Sequence, residues 1–323
     1  MSARSDALAS PPVHTTAWRR FGPTLVRIGL TVTILGFLAS RTDLARAAVI
    51  TRAADPWLVS LAVVVLFGSY AVGGLRWWCV TRALGQSTSL GALVGLFWIG
   101  GLASQALPSP LGDAVRVAAA TRQGVSLTGA ATSTIIERTV MLLVLMLLVC
   151  VTSGFPGAVG RTDFQFIAVL VSLAGAGAFL ATGWIGPVVA SRPGLPFAPA
   201  AVALSTAVRR WVVSEWATAT IGMAVLGNLN IVVAAMILGT GFHLPLQPID
   251  YVGVMPVAML AMVIPISVGG WGVREGALVA LMGRLSVPAA TALCCTLFSS
   301  DRALGFVPAF LCVSHFAMKF RLS

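Results

Sequence analysis

Three sets of ionisable residues stand where an apolar chain should carry none: Asp113 with Arg116, Glu137 with Arg138, and Arg274 with Glu275. Arginine beside carboxylate is chemistry for recognition. A guanidinium fork binds two oxygens of a phosphate or carboxylate at once. The acid either holds that arginine in place or meets a cationic group. Acid–base catalysis needs a positioned proton carrier matched to its task, and no His–carboxylate set or nucleophile–base pair is visible. His14, His243 and His315 lack metal-ligand spacing. Cys79, Cys150, Cys294, Cys295 and Cys312 form no C-x-x-C pair and read as core packing. No P-loop is present. The expectation is a protein that is not an enzyme and uses no metal or cofactor.

These charges need partners. An ionisable group deep in a membrane span costs at least ~2.5 kcal/mol on insertion scales, so it faces protein or water. Neighbours in sequence do not face one another on a helix. Glu137 is therefore not satisfied by Arg138, nor Glu275 by Arg274, whereas Asp113 and Arg116 can pair locally. The economical arrangement is one polar cluster inside a bundle, with Glu137 in ion-pair range of Arg116 or Arg274, or of both through water. A purely structural ion network would use the same residues.

The elements that must position them are membrane helices. Of 323 residues, 58% are apolar and 10% charged, against roughly 25% charged in soluble domains. Several apolar runs approach the ~20 residues that span a bilayer core. The fold class is all-α, a polytopic helical membrane protein. A polar tail, 1–20, precedes a single transmembrane domain, 21–320. The tail reads as part of an uncleaved anchor. Spans are expected at about 21–40, 56–80, 127–152, 164–185 and 217–240. Trp77 and Trp78 suit an interface belt, and Arg76 and Arg82 a cytoplasmic helix end. Ser205, Thr206, Arg209 and Arg210 share one face of 201–216, opposite Leu204, Val208, Trp211 and Val212. That describes an interfacial amphipathic helix, or else the polar start of the next span. The stretch 186–200 reads as a loop, and 286–320 as two short spans or a hairpin. The net charge of +11 is spread between apolar runs, which fits loops beside anionic lipid and not nucleic acid. Its distribution favours cytoplasmic termini.

Two shorter apolar runs, 90–107 and 251–266, break in the same manner. One break carries Pro108, Pro110 and Gly112 ahead of Asp113 and Arg116. The other carries Pro265, Gly269, Gly270 and Gly272 ahead of Arg274 and Glu275. Proline removes a backbone donor. Non-helical backbone at membrane depth is tolerated only inside protein or along a watery cavity. Paired interruptions in corresponding places of two halves point to a transporter-like site and raise an inverted repeat as an option. Two ordinary loops outside the membrane are the plainer reading. Helix-compatible pieces follow the breaks at 111–122 and from Val273.

At these residues the chain resembles the lysylphosphatidylglycerol synthase transmembrane-region family, also called flippase-like domain proteins. The resemblance runs through "RWWCVTRALG" (76–85), "LPSPLGDAVR" (107–116), Glu137–Arg138 and "PISVGGWGVREGA" (265–277), and covers about 20–320. Leu111 stands where the family's first break has a glycine. The resemblance implies a helical domain with two re-entrant segments that moves amphiphilic lipids between leaflets, here as a stand-alone member without the synthase domain.

The expected function is thus a translocase for a phospholipid or other charged amphiphile in a bacterial inner membrane. Arg116, Arg138 and Arg274 would meet a phosphate, and Asp113, Glu137 and Glu275 would hold those arginines or meet a cationic headgroup. The expected partners are membrane lipids, with a homo-oligomer or a lipid-modifying enzyme as further options. The rivals are a membrane enzyme acting on a lipid or polyprenyl phosphate, and an accessory scaffold in glycan metabolism.

Overall fold

The structure, a computed structural model, describes residues 44–106, 109–152, 162–191, 196–261 and 272–298, with helical pieces between 26 and 40. Pro108, Pro265, Gly269, Gly270 and the turn at Asp301–Arg302 lie outside the described residues. The helices are α1 (Leu44–Ala53), α2 (Pro56–Ala83), α3 (Leu90–Ala106), α4 (Ser109–Thr121), α5 (Leu127–Thr152), α6 (Thr162–Ala190), α7 (Ala198–Val212), α8 (Trp216–Gly241), α9 (Pro248–Ala261), α10 (Val273–Gly283) and α11 (Ala289–Phe298). No strand occurs among the described residues. In α2, α5, α6 and α8 the apolar stretch is long enough to cross a membrane.

Helix α2 starts where its sequence says it should. The Asp55 carboxylate accepts from the Trp57 and Leu58 amides at 2.8 and 3.3 Å, capping two donors that lack helical partners. Pro56 follows at a position that needs no N–H. The helix then runs antiparallel to α8. The Asp55 amide donates to the Gly241 carbonyl at one end. Midway, the Asn230 amide donates to the Val65 carbonyl at 2.6 Å and to Ser69 Oγ at 2.7 Å. At the other end the Trp78 and Trp216 rings meet edge to face.

Around this pair the order long, short, short recurs. Between α2 and α5 come α3 and α4, of 17 and 13 residues. After α8 come α9 and α10, of 14 and 11 residues. At ~1.5 Å per residue none of the four crosses a ~30 Å hydrocarbon core. Helices α3 and α4 fold back on each other as a hairpin. Two glycines allow the approach: a Cβ on Gly100 would lie 2.8 Å from the Arg116 Cβ, and one on Gly112 would lie 2.7 Å from the Ser104 amide nitrogen. Leu111 is exposed, so a leucine there does not obstruct the hairpin.

The segment read as an amphipathic helix and the loop before it need correction. Helix α6 continues to Ala190, past the expected end at 185, with Pro187 inside it. Helix α7 begins at Ala198 and docks on α6. Ser205, assigned above to the polar face, is buried. Its hydroxyl donates to the Gly183 carbonyl at 2.9 Å and accepts from the Gly186 amide at 3.0 Å. The cause is Pro187, which has no N–H for the carbonyl four residues back. That carbonyl belongs to Gly183, and the serine supplies the missing donor. Thr206, Arg209 and Arg210 are exposed, as expected.

Candidate functional site

Helix α5 carries Glu137 in its interior, wholly buried. Two arginines from other helices reach it. Arg76 of α2 donates to Glu137 Oε1 through Nε at 2.9 Å and also through Nη2. Arg116 of α4 donates to Glu137 Oε2 through Nη2 at 3.2 Å. Both carboxylate oxygens are therefore engaged. A buried pair of this kind is strongly destabilised by loss of one partner, because a charge is left without compensation.

Aromatic rings hold Arg116 in place. Its guanidinium carbon lies 4.6 Å from the centre of the Trp77 ring and 4.9 Å from that of Phe97, within cation–π range. Trp77 is fixed in turn by donating from Nε1 to Ser133 Oγ at 2.9 Å. The Arg116 stem passes over Gly100, so the hairpin geometry aims the side chain at α5. Its Nε has no hydrogen-bond partner among the described residues.

The cluster continues outward. Asp113, one turn before Arg116 on α4, lies 3.4 Å from Arg116 Nη2 through Oδ1. The same Oδ1 accepts from Arg138 Nη2 at 2.9 Å. The Arg138 and Asp113 side chains are 44% and 26% exposed, against 2% for Arg116. The charges thus alternate along a ladder, Arg138, Asp113, Arg116, Glu137, Arg76, from the exposed side to the core. Three guanidiniums and two carboxylates leave one positive charge in excess.

A sequence model of the family described as "Lysylphosphatidylglycerol synthase TM region" matches residues 24–312. The chain belongs to this family. No curated protein and no solved structure matches it. The family match covers every rung of the ladder and both breaks.

Of the residues picked from sequence, Asp113, Arg116, Glu137 and Arg138 come together, and Glu137 meets Arg116 as expected. Arg76 was missed as a member. The sequence alone suggests that Arg76 and Trp77 are helix-end residues at the interface, yet both are buried. The reason is that α2 runs to Ala83, which puts Arg76 about two turns inside. An arginine that far from a helix end, on a helix with a buried acid elsewhere in the bundle, is the signal that could have found it.

The second break yields a different local structure. Gly272, at φ +83°, sits in a conformation that favours glycine and starts α10. The Glu275 carboxylate accepts from the Gly272 amide at 2.7 Å. Arg274 and Glu275 are both buried. Helix α9 packs against both α5 and α10, linking this break to the helix that holds Glu137.

Proposed function

We propose that the protein is a lipid translocase, which carries a phospholipid or related charged amphiphile between leaflets and receives its headgroup at the outer, Arg138 end of the ladder. The observation that carries the reading is the ladder itself, running from half-exposed Arg138 to wholly buried Glu137 inside an apolar bundle. Polar groups inside a membrane protein are expensive and mark substrate paths. The excess positive charge suits an anionic headgroup, and arginine suits phosphate oxygens. Arg274 is assigned a second contact, since a helix N-terminus and a guanidinium together favour an anion. Family membership supports a membrane role and leaves the cargo to chemistry. The setting proposed is a bacterial inner membrane, with the N-terminus cytoplasmic and both broken segments re-entrant. No catalytic step is assigned.

Protein-only vesicles test the reading. Fluorescent phosphatidylglycerol in the inner leaflet is followed by quenching from outside. The wild type should accelerate its exchange, and Arg138→Ala should abolish the acceleration with little change in melting temperature. Turnover of the lipid to a new product, without movement, would replace this reading with the enzyme.

A further inference from the structure

Arg138 and Asp113 form the outer end of the ladder, and their geometry differs from the inner end. We infer that the Asp113 carboxylate is the resident occupant of an oxyanion site on Arg138, and that an arriving phosphate ester displaces it by ion exchange. The inference rests on the translocase reading above and names the group the site takes.

Four observations carry it. The Arg138–Asp113 pair, at 2.9 Å, lies at the open side of the bundle, with side chains 44% and 26% exposed. Partly exposed ion pairs are weak and exchangeable, whereas buried ones are not. Asp113 Oδ1 also lies 3.4 Å from Arg116 Nη2, so the acid keeps a counter-ion when it releases Arg138. Glu137 lacks that freedom, since Arg76 and Arg116 hold both its oxygens in the core. The arithmetic of charge agrees. Asp113 stays with Arg116, Glu137 stays with Arg76, and a singly charged phosphate ester on Arg138 leaves the cluster neutral. Because Asp113 belongs to α4 and Arg138 to α5, the newcomer sits between the hairpin and the span and replaces a contact that ties them.

Titration of the purified protein in detergent tests this. The probes are dihexanoyl phosphatidic acid, inorganic phosphate, and dihexanoylglycerol as the uncharged control. Asp113→Asn removes the competitor and keeps its shape. Phosphatidic acid binding should tighten about two- to fivefold, the strength of a partly exposed ion pair. The uncharged control should not change, and the tightening should vanish in an Arg138→Gln background. Tightening for phosphatidic acid alone marks a lipid as the source. Tightening for inorganic phosphate as well marks a site for the phosphate group itself, and both outcomes support exchange. Weaker or unchanged binding overturns it, because Asp113 would then serve to orient Arg138. Asp113→Ser repeats the measurement if the amide variant melts lower. A wild type that moves lipid while neither variant tightens binding defeats this inference and leaves the translocase standing. A wild type that binds none of the probes and moves no lipid defeats both.

Discussion

Glu137 and Arg138 are neighbours in sequence with opposite fates. One points into the core and takes two arginines. The other points toward the exposed side and takes Asp113. Substitutions should separate them. Glu137→Gln leaves Arg76 and Arg116 buried without their acid and should cost about 3–5 kcal/mol, read as a large drop in melting temperature in detergent. Pairing it with Arg76→Met removes one surplus cation and should recover a substantial part of the loss. An unchanged melting temperature in the single variant would show that the carboxylate is not needed for folding. Much of this site was legible in sequence, because an acid inside an apolar run must find a cation and two adjacent charges cannot serve each other. Arg76 was not legible for a reason of the same kind. A long basic side chain near a helix end can reach water, so an arginine flanked by tryptophans reads as interfacial until the helix end is known.

At the scale of elements, the lesson lies in α6 and α7. Helix periodicity placed Ser205 with Thr206, Arg209 and Arg210, because serine is polar and the face is otherwise charged. What decides its position is a backbone defect in a different helix, the carbonyl that Pro187 leaves without a donor. Periodicity within one segment cannot register such a defect. The long spans were legible because length and apolar content alone determine them. The break between α3 and α4 was legible as an interruption, but not as a tight hairpin, since that depends on Gly100 on α3. Ser205→Ala should cost about 1–3 kcal/mol by leaving buried backbone groups unpaired. In a Pro187→Ala background, where the Gly183 carbonyl regains an amide donor, the cost should shrink toward zero. A double-mutant cycle on melting free energies checks this, and equal costs in both backgrounds would refute the link.

Across the whole molecule, the two breaks stand at corresponding points of a recurring order of helices, and each delivers a buried arginine. If headgroups pass between them, both arginines are needed for movement. Arg274→Ala should abolish lipid exchange in vesicles and leave melting near that of the wild type. A large melting drop, rescued by also replacing Glu275 with Gln, would make Arg274 a structural counter-ion and remove it from the path. The antiparallel α2–α8 pair should be the mechanical frame for this. Asn230→Leu, which removes the bonds to Val65 and Ser69, should cost only about 0.6–2 kcal/mol and leave lipid exchange intact, since the pair is held along its length.

The order in which the ladder is synthesised matters to how the protein enters its membrane. Arg76 and Arg116 both precede Glu137 in the chain. The growing polypeptide therefore delivers two cations before the acid that neutralises them. Until α5 emerges, the α3–α4 hairpin carries an arginine with no inner partner, and a central arginine disfavours insertion by about 2.5–3.5 kcal/mol. Insertion of the hairpin should wait for α5. Chains truncated after residue 126 and released into membranes should leave the hairpin open to protease, while released chains truncated after residue 161 should protect it. Glu137→Gln should return the longer chain to the behaviour of the shorter one. Protection already complete at 126 would show that the hairpin enters unaided, and that the acid arrives at a site already in place.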